Sequence, residues 1–314
     1  MIRSLLSGVS GLRNHQIRMD VVANNIANVN TTSFKAGRTN FREILSQNIR
    51  GNSMSHVGTD SVNPAQVGLG IAVQSIDLLF SQGSPTTTNR VLDVMIDGNG
   101  FFRVASMQFD GADPTVIDYF YTRDGSFYVN DQGYLVNSSG LYVLGVGHSE
   151  YLDTEGINDV INRVYEVDED FFGEPIRLFN PEADDGDEIA NALTSLRIDP
   201  NGLVFVNGIV DRAALLLVDN YTNPENLTRL GANLYEVPLV GADADDRNPS
   251  NVGWGVPASG YGQGKLVSGA LEMSNVDLST EFANMIITQR GYQANARVIT
   301  TSDDMLGELI NLKR

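Results

Sequence analysis

The sequence begins with MIRSLLSGVSGLRNHQIRMDVVANNIANVN, residues 1–30, and this stretch decides the fold. Apolar side chains recur along it at alternating intervals of three and four residues, with Gln16 as the one polar interruption. This heptad spacing predicts a helix that packs along an apolar seam, as in a coiled coil. The predicted seam consists of Ile2, Leu5, Val9, Leu12, Met19, Ala23 and Ile26.

The helix is expected to end in an asparagine-rich segment, after residue 27. Asn24, Asn25, Asn28 and Asn30 accumulate there, and Thr31-Thr32-Ser33 follow. Side chains of Asn, Ser and Thr compete with the helical backbone for hydrogen bonds. The pattern fits either a helix end with its turn or a recognition motif for export or assembly.

The carboxyl end of the chain has a second heptad pattern, interrupted at Gln289 and Asp303. Ser274 and Asp277 resemble a helix N-terminal box, and no proline occurs from residue 258 to the last residue. We therefore predict a single helix over about 275–312. Its seam consists of Leu278, Phe282, Met285, Tyr292, Ala296, Ile299, Leu306 and Ile310.

The middle of the chain has the pattern of β structure. Short alternating runs over 91–146 are punctuated by Asp97-Gly98, Asn99-Gly100, Asp124-Gly125, Gln132-Gly133 and Gly140, and the last three turns predict hairpins or a meander. Pro200-Asn201-Gly202 predicts another hairpin turn, and Leu215 to Val218 a buried strand. The expected fold class is α+β: long terminal helices that pair with each other, antiparallel, as a coiled coil, and an all-β middle of short antiparallel strands.

Four regions follow from these patterns. The predicted divisions are a terminal helical domain (1–27 with 275–314), a joining segment (28–85, with about 262–274), a β domain (86–146 with 176–261) and a short irregular insertion (147–175). Burying about eight seam side chains at ~2 kcal/mol each does not exceed the cost of ordering the longer helix. We therefore expect the helices to need neighbours from other copies.

Composition and charge exclude several classes of function. Residues 1–50 carry seven Lys/Arg against two Asp/Glu, so the net charge of −18 lies almost wholly in the middle of the chain. An acidic middle argues against nucleic acid or an anionic membrane as a partner. The chain has no cysteine and no apolar run long enough for a membrane span, and its first residues lead us to expect no cleavable secretory signal. No nucleophile, metal cluster or acid–base pair stands out, so we expect no enzyme activity, cofactor or metal.

Long stretches of the sequence resemble the flagellar rod and hook protein family. LLSGVSGLRNHQIRMDVVANNIANVNTTSFKAGRTNF, residues 5–41, is similar to the family's N-terminal signature, centred on VVANNIANVNTTSF. Residues 271–314 are similar to its carboxyl end. NPAQVGLGIAV at 63–73, DVMIDGNGFFRV at 93–104 and NPENLTRLGANLY at 223–235 extend the resemblance over most of the chain.

The resemblance implies a structural role. Members are exported unfolded by the flagellar type III apparatus, without leader cleavage, and form a helical tube outside the cell. Their terminal helices form a coiled-coil layer around a channel, inside the β domains. In the family the asparagines and Phe34 lie at a packed junction, so we expect Asn24, Asn25, Asn28, Asn30 and Phe34 to serve assembly.

Within the family, three features favour the hook protein: NPAQVGLG, NVDLSTEF and the ending ITTSDDMLGELINLKR. A hook subunit would polymerise with itself into a flexible tube that transmits motor torque from rod to filament. Its implied partners are the distal rod protein, the hook cap, the hook-filament junction proteins and the export apparatus. The length of the chain suits the alternative, a distal rod subunit. A third hypothesis is an extracellular β-domain adhesin with helical oligomerisation ends.

Overall fold

The structure is a computed structural model that describes residues 2–51, 63–110, 113–146, 173–179, 196–206, 209–221, 223–237, 252–253 and 264–312. The chain divides into two compact units. The first, here the terminal unit, comprises Met1–Asn30, Lys35–Leu79 and Val276–Arg314. The second, here the β unit, comprises Thr31–Phe34 and Phe80–Asn275.

Both predicted helices belong to the terminal unit, as α1 (Ile2–Ala27) and α2 (Leu278–Leu312). At the end of α1, the backbone N–H and side-chain amide of Asn28 both donate to the Asn24 carbonyl, at 3.1 and 3.0 Å. At the start of α2, Asp277 accepts from the Ser279 N–H (3.0 Å) and the Thr280 hydroxyl (2.6 Å). These bonds satisfy polar groups that helix ends leave without a partner, and they explain why the helices begin and end close to the expected residues.

The rest of the terminal unit is a two-stranded antiparallel ribbon. Its near half pairs β1 (Gly37–Glu43) with β4 (Ile71–Leu78), and its far half pairs β2 (Ser46–Arg50) with β3 (Ala65–Gly68). Backbone hydrogen bonds from Ile44 to Gly70 (3.1 Å) and from Leu69 to Leu45 (2.9 Å) join the two halves, and these four joining residues are counted here with the far half. The ribbon lies within residues 28–85, the predicted joining segment.

Short antiparallel strands make up the β unit. Its described strands are β5 (Pro85–Thr87), β6 (Val94–Asp97), β7 (Phe101–Asp110), β8 (Asp113–Thr122), β9 (Phe127–Val129), β10 (Leu135–Asn137), β11 (Tyr142–Val146), β12 (Glu174–Pro175), β13 (Arg197–Ile198), β14 (Leu203–Val206), β15 (Ile209–Leu216), β16 (Val218–Tyr221), β17 (Thr228–Gly231), β18 (Leu234–Glu236), β19 (Val252–Gly253), β20 (Lys265–Ser268) and β21 (Ala270–Glu272). One sheet contains thirteen of them, with the main order β13-β14-β15-β11-β7-β8-β18-β17. Two small sheets, β5 with β21 and β6 with β20, complete the unit, and a 3-10 turn lies at Pro224–Asn226.

Most of the predicted turns connect neighbouring strands. β9, β10 and β11 form a meander whose turns contain Gly133 and Gly140, both at positive φ, and the turn before Gly202 joins β13 to β14. The turn at Gly125 differs, because β9 pairs with β10 and not with β8. The Val94 N–H donates to the Gly125 carbonyl (3.0 Å), so this turn lies against β6 and directs the chain to a new part of the sheet.

The hydrophobic core lies in the β unit. Its most deeply buried apolar side chains are Val94, Ile96, Phe102, Val104, Phe127, Leu135, Val143, Ile176, Val204, Leu216, Val218 and Leu266. Among the described residues of the terminal unit, Val22 and Ala36 are the only buried hydrophobic ones. The terminal unit therefore has two long helices, but its described residues form no hydrophobic core of their own.

The α+β class is confirmed by two terminal helices and a mostly antiparallel middle. Coiled-coil pairing of the helices is not confirmed, and the four predicted domain boundaries stay predictions. The predicted insertion at 147–175 lies outside the described residues as far as residue 172. Within the described residues, no helix is both long and apolar enough to cross a membrane.

Candidate assembly surface

The two helices of the terminal unit run antiparallel, and small and polar side chains join them. The Ser4 and Ser302 hydroxyls are 3.4 Å apart, and the Arg18 guanidinium donates to the Asn284 amide oxygen at 3.4 Å. Between these pairs, glycines of one helix face larger side chains of the other: Gly8 faces Ile299, Gly11 faces Asn295 and Gly291 faces His15. Missing β-carbons let the two backbones approach closely along this face.

This contact face has its own heptad spacing. On α1 it follows Ser4, Gly8, Gly11, His15 and Arg18, and each of the five lies one residue before a predicted seam position or Gln16. One residue corresponds to a rotation of about 100° around a helix. The helix pair within one chain therefore uses a face beside the most apolar one.

Most of the predicted seam of α1 is left partly open within the chain. Leu5, Leu12, Met19 and Ile26 are half-buried, whereas Val9 (53% exposed) and Ala23 are exposed. Ile2 lies in α1, but its side chain is not among those described. None of the six described side chains lies in a buried seam.

The predicted seam of α2 is still more open. Phe282 is 50% exposed, Leu278, Tyr292 and Ile310 are also exposed, and Met285, Ala296, Ile299 and Leu306 are half-buried. Further exposed apolar residues lie outside that seam: Ile286, Ile287, Val298, Met305, Leu309 and Leu312. The described side chains that α2 does bury are Thr288 and Ser302, both polar. Large exposed apolar side chains on two sides of α2 form apolar area that a further contact would remove from water.

The far half of the ribbon adds to the apolar surface of the terminal unit. Ile44, Leu45, Ile49 and Val67 are all exposed there. A lone two-stranded ribbon is at best marginally stable in water. We define the candidate assembly surface as these four ribbon residues together with the exposed apolar residues of α1 and α2.

Two titratable groups lie at the contact between the helices. Burial lowers the pKa of His15, and the positive charge of Arg18 acts in the same direction. Burial raises the pKa of Glu281, which the Asn25 amide and Arg18 partly oppose. The contact therefore favours a neutral imidazole.

The predicted junction residues fall into different environments. Asn25 is buried and bonds to both backbone groups of Gly37, at 2.9 Å from its amide nitrogen and 3.0 Å to its amide oxygen. The Asn24 side chain is exposed and accepts from Asn28 (2.9 Å), and Asn30 is exposed. Phe34 is buried within the β unit, where the Arg229 guanidinium lies 4.6 Å from its ring centroid. The structure gives Asn24, Asn25, Asn28 and Phe34 local contacts and leaves Asn30 exposed, and the part of all five in assembly stays a prediction.

Sequence reasoning missed the residues that make the contacts within the terminal unit. Asn14 is buried in the middle of α1 and binds the backbone of β4, at Ile71 and Val73. Gly8, Gly11 and Gly291 form the close contact between the helices. Asparagine and glycine are unfavourable in helix interiors, so their presence there was the signal available in the sequence.

Three family models match separate parts of the chain. Residues 5–35 match "Flagella basal body rod protein", and residues 95–206 match "Flagellar hook protein FlgE/F/G D1 domain". Residues 267–312 match "Flagellar basal body rod FlgEFG protein C-terminal". The matches include both terminal helices and much of the β unit.

Similar curated proteins align over their whole length. The flagellar basal-body rod protein FlgG of Bacillus subtilis (strain 168) is 37% identical over 317 positions, covering 100% of both chains. The FlgG protein of Borreliella burgdorferi is 31% identical over 320 positions, also with full coverage. The flagellar hook protein FlgE of that organism is 29% identical, and its full-coverage alignment extends over 459 positions.

Proposed function

Because the chain belongs to the flagellar rod and hook protein family, we propose that it is a subunit of the basal-body rod, in the distal position given above as the alternative. Length supports this choice. Alignment with the FlgG protein of Borreliella burgdorferi takes 320 positions, and alignment with its FlgE takes 459, for a chain of 314 residues. The hook protein has residues that this chain lacks.

A rod subunit is preferred here to the hook subunit that the three sequence motifs predicted. Two of the three motifs behind the hook prediction lie within or overlap residues 267–312, which match a model for FlgE, FlgF and FlgG together. Motifs in a region that rod and hook proteins share discriminate poorly between them. Because the chain belongs to this family, we no longer favour the hypothesis of an extracellular adhesin.

Self-assembly is the proposed mode of action, and one observation carries it: α2 has 35 residues, and the described side chains that it buries are Thr288 and Ser302. Ordering that many residues costs backbone entropy, which helix hydrogen bonds and one polar contact face offset poorly. Contacts with further copies would bury the apolar flanks and supply the missing hydrophobic free energy.

In this proposal each helix pair docks through its apolar flanks onto pairs from neighbouring copies. Leu5, Val9 and Leu12 of one copy and Phe282, Met285 and Tyr292 of another would then form coiled-coil seams. Such a layer resists twisting because slippage would place apolar side chains in water. The partners proposed besides the chain itself are the adjoining rod and hook proteins and the type III export apparatus. The hook cap and the hook-filament junction proteins would be partners only under the hook alternative. Export without leader cleavage is part of the same proposal.

Deletion of the gene, followed by electron microscopy of isolated basal bodies, tests this function. We expect truncated rods that carry no hook, and restoration of complete structures by the wild-type gene on a plasmid. Complete rods that lack only the hook would support the hook assignment instead. Normal basal bodies and normal swimming would contradict both.

A further inference from the structure

Two buried asparagines of α1 bind the two ends of the near half of the ribbon. Asn25 bonds to the N–H and carbonyl of Gly37, where β1 begins. Asn14 donates to the Ile71 carbonyl (2.6 Å) and accepts from the Val73 N–H (3.1 Å), where β4 begins. Because β1 and β4 are antiparallel, with Glu43 opposite Ile71, these are opposite ends of the near half.

The spacing of the asparagines matches the length of the strands that they bind. Eleven residues of helix separate Asn14 from Asn25, about 16 Å along the axis. The strand β1, from Gly37 to Glu43, spans about 20 Å. β1 therefore runs back along α1, and each amide replaces the backbone of a missing neighbouring strand, with one donor and one acceptor.

Neither asparagine is explained by helix stability. Their side chains are 7% (Asn14) and 2% (Asn25) exposed, and Asn is a poor residue for a helix interior. A third contact lies beside Asn14, where a side chain on Gly70 would collide with the Ser10 hydroxyl. Beyond this point the ribbon continues into its far half, whose described residues are mostly exposed and which presents Ile44, Leu45, Ile49 and Val67.

We infer that Asn14 and Asn25 are positioning residues for assembly, whose amides fix the ribbon along α1 and so set where its exposed apolar half meets a second copy of this chain. The inference rests on the proposed function for the identity of that second copy. The hydrogen bonds of Asn14 and Asn25 to its backbone explain why an otherwise lone ribbon has a defined position. Without them the contact face of the ribbon would have no fixed geometry relative to the helices.

Replacing Asn14 by Asp and by Leu separates positioning from simple space filling. An Asp carboxylate can accept from Val73 but repels the Ile71 and Ser10 carbonyls, both of which the Asn14 amide nitrogen contacts. A protonated Asp carries one O–H donor in place of the amide N–H donors of Asn14, whereas Leu has no donor at any pH. Arg13, His15 and Arg18 are the ionisable neighbours along α1, and a new carboxylate at residue 14 would itself change the titration of His15. The acid comparison is therefore made in a His15→Gln background, where residue 14 is the difference between the two variants.

The first measurement is hydrogen exchange of segment 71–78 in the purified full-length chain, corrected for intrinsic rates. At neutral pH we expect protection of Val73 to fall about tenfold in Asn14→Leu, which has no acceptor for its N–H, and also to fall in Asn14→Asp, because repulsion from the Ile71 and Ser10 carbonyls moves the carboxylate away from β4. In acid, Asn14→Asp should recover part of the protection and Asn14→Leu none. Asn226→Asp, the same change at an exposed site of the β unit, should match the wild type.

The second measurement is rod formation in a gene-deletion strain that produces each variant. We expect both Asn14 variants to form few rods and Asn226→Asp to form normal numbers. Normal rods despite lost protection would overturn the positioning role, as would unchanged protection in either variant at neutral pH. Failure of the wild-type gene to restore rods is a separate result that would contradict the proposed function itself.

Discussion

The imidazole ring of His15 lies directly over Gly291, where an added β-carbon would be 2.7 Å from its Cε1 atom and 2.8 Å from its Nε2 atom. On its other side the ring meets the edge of Phe41, with the two ring centroids 6.0 Å apart. The imidazole thus fills a space that exists only because residue 291 lacks a side chain. This interlock fixes the register of α1 on α2.

Gly291→Ala should separate the helices locally. The new methyl group would displace His15 against Phe41, at a cost of about 1–3 kcal/mol that exceeds the gain in helix propensity of up to ~1 kcal/mol. We expect a lower midpoint for the loss of helical circular dichroism in the full-length protein.

Gly307→Ala is the matched control, because a β-carbon at Gly307 meets no atom within 4 Å. The same substitution there should leave the helical signal unchanged or stabilise it by up to ~1 kcal/mol. Equal midpoints for the two variants would show that His15 does not occupy the space over Gly291.

His15 should make the terminal unit sensitive to pH. Its pKa is lowered by burial and by Arg18, so the unfolded chain binds a proton at a higher pH than the folded chain. Stability from this residue is therefore complete above the pKa of an unfolded histidine and is lost as the pH falls through the lower folded value. Urea unfolding of α1 and α2 should show this loss in the wild type.

His15→Gln should remove this dependence, whereas His148→Gln, the same change elsewhere in the sequence, should keep it. A wild-type slope in His15→Gln would assign the pH dependence to other groups. Phe41 and Gly291, which pack against the ring, carry no titratable side chain, so Arg18 is the charged residue identified beside it.

The buried ion pair of Arg103 and Asp219 in the β unit should be intolerant of losing one partner. Arg103 Nε lies 2.6 Å from Asp219 Oδ2, and the two side chains are 2% and 0% exposed. Asp219→Asn leaves a buried guanidinium without its counter-charge, and we expect a loss of about 3–5 kcal/mol in the free energy of unfolding. Near-ultraviolet circular dichroism during denaturation measures it.

Asp199→Asn is the corresponding change at a surface pair, where Arg197 lies 2.8 Å from the carboxylate with its side chain 76% exposed. That variant should lose at most ~1 kcal/mol. A double variant, Arg103→Met with Asp219→Leu, should recover much of the loss, since an apolar pair removes both buried charges. Similar losses for Asp219→Asn and Asp199→Asn would contradict the buried pair.

The ends of the helices were predictable from sequence because local chemistry sets them. The expected helix over 275–312 begins at Leu278, directly after the Asp277 cap, and the helix expected over residues 1–27 ends at Ala27. The face by which the helices meet was not predictable in the same way. Apolar periodicity identifies the most hydrophobic face, whichever molecule covers it, and here the chain uses the adjacent face of Gly8, Gly11 and His15.

The function of the asparagines was only partly visible for a related reason. Asn25 stood out within a cluster, although its bond to Gly37 depends on where β1 lies in space. Asn14 stood alone, and its partners Ile71 and Val73 are more than fifty residues away. Contacts of this kind require the fold, since one amide can bind any exposed strand end.

Phe282→Asp should prevent assembly without unfolding the single chain. The side chain is 50% exposed in the chain, so the change should alter stability by no more than about 0.5 kcal/mol. In a polymer seam the same carboxylate would lose its water, at a cost of several kcal/mol for every subunit. We expect soluble, folded protein and no rods.

Met285→Asp, at a half-buried position, should also block assembly. Ile117→Asp places the same charge on an exposed apolar residue of the β unit and should preserve rods. Normal swimming with Phe282→Asp would place the seam elsewhere on α2, and loss of rods in all three variants would show that the helices hold no special part of the interface.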